Sequence, residues 1–313
     1  MPLALCLLNS IFAPVMSKFR KNILFPIVAI VTFFTTGCYE PSDSTVFGDG
    51  ENLYVVEGRI TDIDSVSTVV VSRSVSGRSS ESCEYVNNAF VMLRDDQGNS
   101  DTLVNMGRGV YQASEIKGVV GARYLLTIEV DGRLFSSIDK MPVRASVDSI
   151  VIEYKDNFTI FDTIGYYVSI YSTQNDDTLQ YYRVEVEKNG NVLNDYSALW
   201  IFEDAHLSRV FKMTIPRNFA VGDSVVMNIY SLSAPVYEYF LGLSKQFKTN
   251  FSNTQPPFIN PVGNLDVSNS GTGPLGYFQA SSVLRFSFVI TNAKHKVVLN
   301  GENAISEEIP QLF

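Results

Sequence analysis

The sequence predicts a mainly β protein built from two β-sandwich-like domains, with one amphipathic helix in the second domain. Three observations support this fold class. Short stretches rich in Val, Ile and Tyr recur along the chain, turn residues separate them, and apolar residues take a helical spacing at one place. In the first domain, roughly seven such stretches in about 90 residues are typical of an immunoglobulin-like or transthyretin-like sandwich.

The first predicted sandwich spans residues 51–145. It opens with the β-branched stretches "LYVVEGRI" and "STVVVSRSV", and "NAFVMLRDDQGNSDTLV" follows as a strand, a turn and a strand. The pair Asp131-Gly132 is a strong signal for a two-residue hairpin turn. Before this turn, strict alternation places four apolar side chains on one predicted face, namely Tyr124, Leu126, Ile128 and Val130.

The second predicted domain is β-rich and spans residues 146–291. Its strands include "SVDSIVIEYKDN" and "LQYYRVEVEKNGNVLND", in which Asn-Gly marks another hairpin. The period then changes, and a helix is predicted over residues 235–249 because Val236, Phe240, Leu243 and Phe247 recur at helical spacing. Residues 253–282 are rich in Asn, Pro and Gly and are predicted to form a long loop. A last strand precedes a tail at 292–313.

The amino terminus carries a basic segment, an apolar segment and then a cysteine. Lys18, Arg20 and Lys21 precede the apolar residues 23–34, small residues follow, and Cys38 comes next. This order resembles a bacterial lipoprotein signal, in which the cysteine thiol accepts a diacylglycerol, the chain is cleaved before that cysteine, and the new amine is acylated. A transmembrane anchor and a buried core cysteine are the alternatives, but the apolar segment is short for a membrane span.

We therefore expect residues 1–37 to be a signal peptide, with 1–15 as a mis-chosen translation start, and residues 38–50 to be a flexible tether. Lipidation at Cys38 predicts attachment to outer-membrane lipid, either at the cell surface or on the periplasmic side.

Charge and composition disfavour several classes of function. The formal net charge is -9, and residues 1–37 hold three basic and no acidic side chains. The remainder therefore has 21 basic against 33 acidic side chains, a net of -12, which would repel a nucleic acid. The two histidines, His206 and His295, neighbour no nucleophile motif, and three cysteines offer little for a metal site. We expect no catalytic residue, no metal and no cofactor.

One short motif recurs seven times: Asp, then Ser or Thr, then a β-branched or aliphatic residue. It resembles an O-glycosylation acceptor of some bacteria, although the same pattern is ordinary at a turn that leads into a strand. The hydroxyl residues of the seven copies are Ser44, Ser65, Thr102, Ser149, Thr163, Thr178 and Ser224. The single tryptophan, Trp200, lies in the alternating stretch "SALWIFED" and is predicted to be in the core rather than on a sugar-binding surface.

Several stretches, taken in order, resemble the domain-of-unknown-function 4249 family of bacterial lipoproteins. They are "LYVVEGRIT", "VNNAFVMLRDDQGN", "GVYQASEIKGVVGARYLLTIEVDGRLFSS", "KMPVRASVDSI", "VYEYFLGLSKQF" and "PPFINPVGNLDVSNSGTGPLGYFQASS". The resemblance covers about residues 50–290. Members are secreted lipoproteins often encoded beside TonB-dependent transporters, and no catalytic residues are established for them.

The resemblance implies a non-catalytic outer-membrane lipoprotein that assists a TonB-dependent transporter in ligand capture or docking. The alternative is a surface protein that binds carbohydrate or hydrolyses a glycan, which would need a ring platform or a pair of convergent carboxylates. The expected partners are membrane lipid at Cys38, a transporter, and a glycan or other nutrient. An exposed apolar patch or a long loop would mark the docking face, and the 253–282 loop is the predicted place.

Overall fold

A computed structural model describes residues 53–63, 66–74, 83–156, 163–173, 179–193, 199–203, 210–249, 260–268, 272–292, 295–300 and 303–308. These residues form a mainly β protein with four open sheets and one helix. The predicted fold class is therefore confirmed.

The strands are numbered in chain order. The first nine are β1 (Tyr54–Thr61), β2 (Thr68–Arg73), β3 (Glu84–Tyr85), β4 (Phe90–Asp95), β5 (Ser100–Thr102), β6 (Val104–Gly107), β7 (Val110–Gln112), β8 (Arg123–Val130) and β9 (Arg133–Lys140). The next seven are β10 (Ser149–Lys155), β11 (Gly165–Thr173), β12 (Tyr181–Lys188), β13 (Asn191–Val192), β14 (Trp200–Glu203), β15 (Val210–Thr214) and β16 (Ser224–Leu232). Helix α1 (Ala234–Thr249) follows, and the chain continues with β17 (Asp266–Val267), β18 (Leu275–Ser281), β19 (Val283–Val289), β20 (His295–Asn300) and β21 (Asn303–Glu308).

The first sandwich is made by two sheets with one shared core. Sheet 1 has the order β18-β1-β2-β7-β6 with β3 beside β2, and sheet 2 has the order β17-β9-β8-β4-β5. The predicted hairpin lies between β8 and β9, where Asp131 and Gly132 have positive φ as a tight primed turn requires. The alternating side chains of β8 that were predicted to share a face are all buried in this core.

Residues 266–267 and 275–281 form two strands of the first sandwich, so the predicted loop over 253–282 is wrong for those residues. Strand β18 runs parallel to β1, and β17 pairs with β9. Gly58 makes the packing possible, because a Cβ there would come within 2.9 Å of the Phe278 ring. Turn-forming residues around "LGYFQAS" hide its alternation. The division of the chain at residue 145 stays a prediction, and these strands cross it.

The second sandwich is made by the other two sheets. Sheet 3 has the order β15-β11-β10-β20-β21, and sheet 4 has the order β13-β12-β16-β19 with β14 beside β12. Their shared core contains aliphatic side chains from β10, β11, β12 and β16 together with Trp200. The predicted hairpin at Asn189-Gly190 connects β12 to β13. Part of the predicted tail, 292–313, forms the hairpin β20–β21.

Helix α1 packs where the two sandwiches meet. It agrees with the predicted helix 235–249 to within one residue. Val236 and Phe240 are buried, and they pack with Tyr277 of β18 and Tyr181 of β12 in a third apolar cluster. Pro235 lies in the first turn, where its missing N–H leaves no helical hydrogen bond unmade. Among the described residues, no helix combines the length and apolar character needed to cross a bilayer.

Candidate functional site

A group of charged and aromatic side chains lies where β1, β12, β16 and β18 meet helix α1. We call it the junction cluster, and its polar members are Arg59, Arg183, Glu185, Tyr230 and Tyr277. Strand alternation creates it. In β1 the side chains of Val56 and Ile60 enter the first core, so Arg59 points out of the opposite face of sheet 1 toward sheet 4.

Glu185 is the acceptor at the centre of the junction cluster. One carboxylate oxygen of Glu185 lies 3.6 Å from Arg183 Nη2 and 3.9 Å from Arg59 Nη1. The other oxygen accepts a hydrogen bond of 3.2 Å from the Tyr230 hydroxyl. That hydroxyl accepts in turn from Arg59 Nη1 at 3.1 Å. The network thus joins sheet 1 of the first sandwich to sheet 4 of the second.

Aromatic rings surround these charges. The Arg183 guanidinium lies 4.6 Å from the Phe240 ring centroid, and the Phe240 and Tyr277 ring centroids are 4.8 Å apart. Burial raises the pKa of Tyr230 to about 12, and burial also raises the pKa values of Tyr239 and Tyr277 above their ordinary value. These phenols therefore remain protonated at neutral pH.

The contacts within the junction cluster are ion pairs, hydrogen bonds and ring packing. Its guanidinium groups face a carboxylate, and its rings pack on each other, so its members mainly hold the two sandwiches together. The Arg59 side chain is 40% exposed, and Glu57 is exposed two residues away on the same face of β1.

A second polar group is buried beside the junction cluster, where the chain passes from β18 of sheet 1 directly into β19 of sheet 4. Asp139 of β9 accepts a 2.7 Å hydrogen bond from the Ala280 backbone N–H, and burial raises its pKa to about 6. Gln279, Ser281 and Ser282 are fully buried there, and Gln279 donates to the Ser281 hydroxyl at 2.8 Å. Sequence reasoning missed this group. The sequence feature that could have indicated this group is Asp139, an aspartate at an inward-facing position of β9.

A narrow opening enters the second sandwich between sheets 3 and 4. Its volume of about 20 Å³ matches a single water molecule rather than an organic ligand. Its lining is mostly apolar and consists of Ala145, Ser146, Val147, Ile170, Ser172, Tyr182, Phe202 and Ile229.

The residues of the predicted modification sites are dispersed. Cys38, Ser44, Ser65 and Thr178 lie outside the described residues. Thr102, Thr163 and Ser224 are exposed, whereas Ser149 is buried in β10 and is not presented by the folded chain. O-glycosylation and lipidation stay predictions.

The tryptophan, the two histidines and a further cysteine, Cys83, are placed as follows. Trp200 is buried in the second core, as predicted. Cys83 is a half-buried free thiol. His206 lies outside the described residues, and of His295 only the backbone, at the start of β20, is described. Within the described ranges, no three His, Cys, Asp or Glu side chains converge as metal ligands.

A family model, described as a domain of unknown function (DUF4249), matches residues 40–287 of the chain. The match covers the first sandwich, helix α1 and most of the second sandwich, and it contains every member of the junction cluster. No curated protein and no solved structure matched the chain.

Proposed function

Because the chain belongs to the DUF4249 family, we propose that it is a non-catalytic outer-membrane lipoprotein, anchored through Cys38, that assists a TonB-dependent transporter in ligand capture or docking. One observation carries the proposal. The basic segment, the apolar segment and the small residues end at Cys38, and the family match begins two residues later, at residue 40. The signal-like segment is thus separate from the family domain, as a removable leader would be.

The acyl chains and the tether would hold the protein on a membrane and let it reach a neighbouring membrane protein. Each buried methylene of an acyl chain contributes about 0.8 kcal/mol to membrane binding, so two or more chains on Cys38 would hold the protein on the bilayer. Residues 39–52 lie between Cys38 and Leu53, the first described residue. An extended chain of that length reaches at most about 50 Å, which is enough to place the sandwiches beside a membrane protein.

The junction cluster does not favour a catalytic role. Its two arginines and the Tyr230 phenol are all directed at Glu185, and burial keeps the phenols protonated. The rings of Tyr239, Phe240 and Trp200 are buried. A sugar-stacking platform needs an open ring face, so these rings do not favour the carbohydrate-binding alternative.

Lipidation is tested by replacing the acceptor cysteine. In a Gram-negative host, the native chain should incorporate labelled palmitate and yield a mature protein whose first residue is Cys38. Cys38→Ser should lose both the label and the cleavage, because the hydroxyl is a far weaker nucleophile than a thiolate. Cys83→Ser is the matched control and should be processed normally. A palmitate-free native protein with another amino terminus would exclude the anchor.

The transporter association is tested separately in native membranes. The tagged full-length protein should recover a TonB-dependent transporter, identified by mass spectrometry, after mild detergent extraction. Cys38→Ser should recover much less, because the anchor confines both proteins to one surface and raises their effective concentration. If the protein were lipidated but no transporter were recovered with it, the anchor would stand and the accessory role would be rejected.

A further inference from the structure

The chain enters the first sandwich at one end of sheet 1, which we call the entry end. There the Leu53 N–H donates to the Ser74 hydroxyl at 3.0 Å, and the Ser74 N–H donates to the Leu53 carbonyl at 2.8 Å. Strand β3 lies at the same end, since Tyr85 pairs with Ser72 near the end of β2. The second sandwich contacts the other end of sheet 1, through Arg59. The entry end is therefore the part of the first sandwich that is closest in sequence to Cys38.

The turn between β6 and β7 presents two long side chains at the entry end. Met106 is 61% exposed, and Arg108 is exposed with a φ of 53° between Gly107 and Gly109. An arginine is uncommon in this left-handed region and adopts it at a conformational cost. The Gly109 N–H donates to the Asn87 side chain at 2.8 Å, which fixes the turn. These contacts hold Met106 and Arg108 at the surface.

A tyrosine ring lies beside this arginine. The Arg108 guanidinium carbon is 5.7 Å from the Tyr85 ring centroid, and Tyr85 is 40% exposed. Neighbouring strands are about 4.8 Å apart, so Tyr85 lies two strands, or about 10 Å, from the start of β1. Tyrosine and arginine each combine an apolar body with a polar tip, and such side chains favour the headgroup layer of a membrane. Met106 adds apolar surface at the same place.

The described residues of the entry end contribute no net negative charge. Their charged side chains are three arginines and three acids, namely Arg73, Arg108, Arg133, Glu84, Glu129 and Asp131. Asp131 pairs with Arg73 at 2.5 Å. Residues 38–313 together have a net charge of -12, and a membrane that contains anionic lipids repels an acidic surface. The entry end can therefore approach such a membrane more readily than the average surface of the protein.

The position of the anchor favours a lipid surface over another protein at the entry end. Residues 39–52, fourteen in number, connect Cys38 to Leu53. A flexible chain of this length has a root-mean-square span of about 20 Å. The eight residues of β1 extend about 26 Å, so a bilayer that holds Cys38 is on average closer to the entry end than to the opposite end of the sandwich.

We infer that the entry end lies on the phospholipid surface in which Cys38 is anchored, with Tyr85 and Met106 in the headgroup layer and Arg108 on lipid phosphates. The inference rests on the proposed anchor and adds an orientation to it, because the second sandwich is then farther from the bilayer. A protein is the alternative occupant of the entry end, and vesicles that contain only lipid distinguish the two.

A fluorescent label tests the contact. In a Cys83→Ser background, the full-length Met106→Cys protein is expressed in a Gram-negative host, labelled at the new thiol with an environment-sensitive dye, and reconstituted in vesicles of phosphatidylethanolamine and phosphatidylglycerol. Emission should shift to the blue, and a lipid with a spin-labelled headgroup should quench it. Val119→Cys is the matched control and should show neither change. It is 52% exposed at the opposite end of the same sandwich, where Gly118 bonds to Thr61.

A charge reversal tests the role of the cation. Arg108→Glu, added to the labelled Met106→Cys protein, should reduce the quenching at least about twofold, because it replaces an attraction to anionic lipid by a repulsion. Arg123→Glu, at the opposite end of the sandwich, should leave the quenching unchanged.

Two results would overturn the inference while leaving the anchor in place. One is a lipidated, vesicle-bound protein whose Met106→Cys label is quenched no more than the Val119→Cys label. The other is quenching that is unchanged by Arg108→Glu. A native protein that incorporates no palmitate would overturn the anchor and this inference together.

Discussion

Two buried aspartates in the first sandwich have opposite environments. Asp101 accepts hydrogen bonds from the backbone N–H groups of Ser114, Glu115 and Ile116 at 2.7, 2.6 and 3.1 Å. Burial acts to raise the pKa of Asp101, but these donors bring it below its ordinary value. Burial dominates at Asp139 and raises its pKa to about 6, despite the donor at Ala280. The surroundings of Asp101 thus stabilise the charged carboxylate, whereas those of Asp139 stabilise the neutral acid.

Asp139 should make the protein less stable at neutral pH than in mild acid. Its folded pKa of about 6 lies above the unfolded value of 3.8, so its contribution is fully present below the unfolded pKa and is lost as pH rises through the folded pKa. The shift corresponds to about 3 kcal/mol at most. Asp139→Asn should therefore raise the free energy of unfolding at pH 7 but not at pH 4, as measured by denaturant titration at both values.

Asp101 provides the contrasting variant. Its depressed pKa contributes stability above the unfolded pKa that is lost as pH falls through the folded one. Asp101→Asn should therefore lower the free energy of unfolding at pH 7 by about 2 kcal/mol, because a charged acceptor of three N–H groups is replaced by a neutral one. If both variants changed stability with the same sign at pH 7, burial would not be the cause of the Asp139 shift.

At the scale of single elements, helix α1 depends on one buried face. Phe240 is buried against Tyr277 and beneath the Arg183 guanidinium. Phe240→Ala should lower the free energy of unfolding by about 3–5 kcal/mol, since it removes a large ring and leaves a cavity. Glu238→Ala, on the exposed face of the same helix, should change it by less than about 0.5 kcal/mol. Chemical denaturation of both variants distinguishes packing from helix propensity, because alanine favours a helix at either position.

Elements whose pattern is local were predictable from the sequence, and those that depend on distant partners were not. The alternation of β8, the Asp131-Gly132 turn and the spacing of Val236 and Phe240 each lie within a short window. Strand β18 pairs with β1, which lies more than 200 residues earlier. Because the two strands are parallel, no tight turn connects them, and the sequence gives no local sign of the pairing. The junction cluster was missed for the same reason, because Arg59 and Glu185 meet only after both sandwiches form.

At the scale of the whole molecule, the two sandwiches are joined by a one-residue connection and by a shared apolar cluster. Only Ser282 separates β18 of sheet 1 from β19 of sheet 4, and the third apolar cluster takes side chains from both sandwiches and helix α1. The first core is completed by Phe278 and Ala280 of β18, although these residues follow β10–β16 of the second sandwich in sequence. We therefore expect the described body to unfold as one unit.

Calorimetry tests this expectation, and Glu185 is the residue to change. The native protein should give a single heat-absorption peak with equal calorimetric and van't Hoff enthalpies. Glu185→Ala removes the acceptor shared by Arg59, Arg183 and Tyr230, and it should lower the free energy of unfolding by about 2 kcal/mol while moving the whole peak. Glu187→Ala, two residues along the same face of β12, is the control and should leave the peak in place. Two peaks in the native protein, or a shift of only part of the peak in Glu185→Ala, would show that the sandwiches unfold separately and that the junction cluster does not couple them.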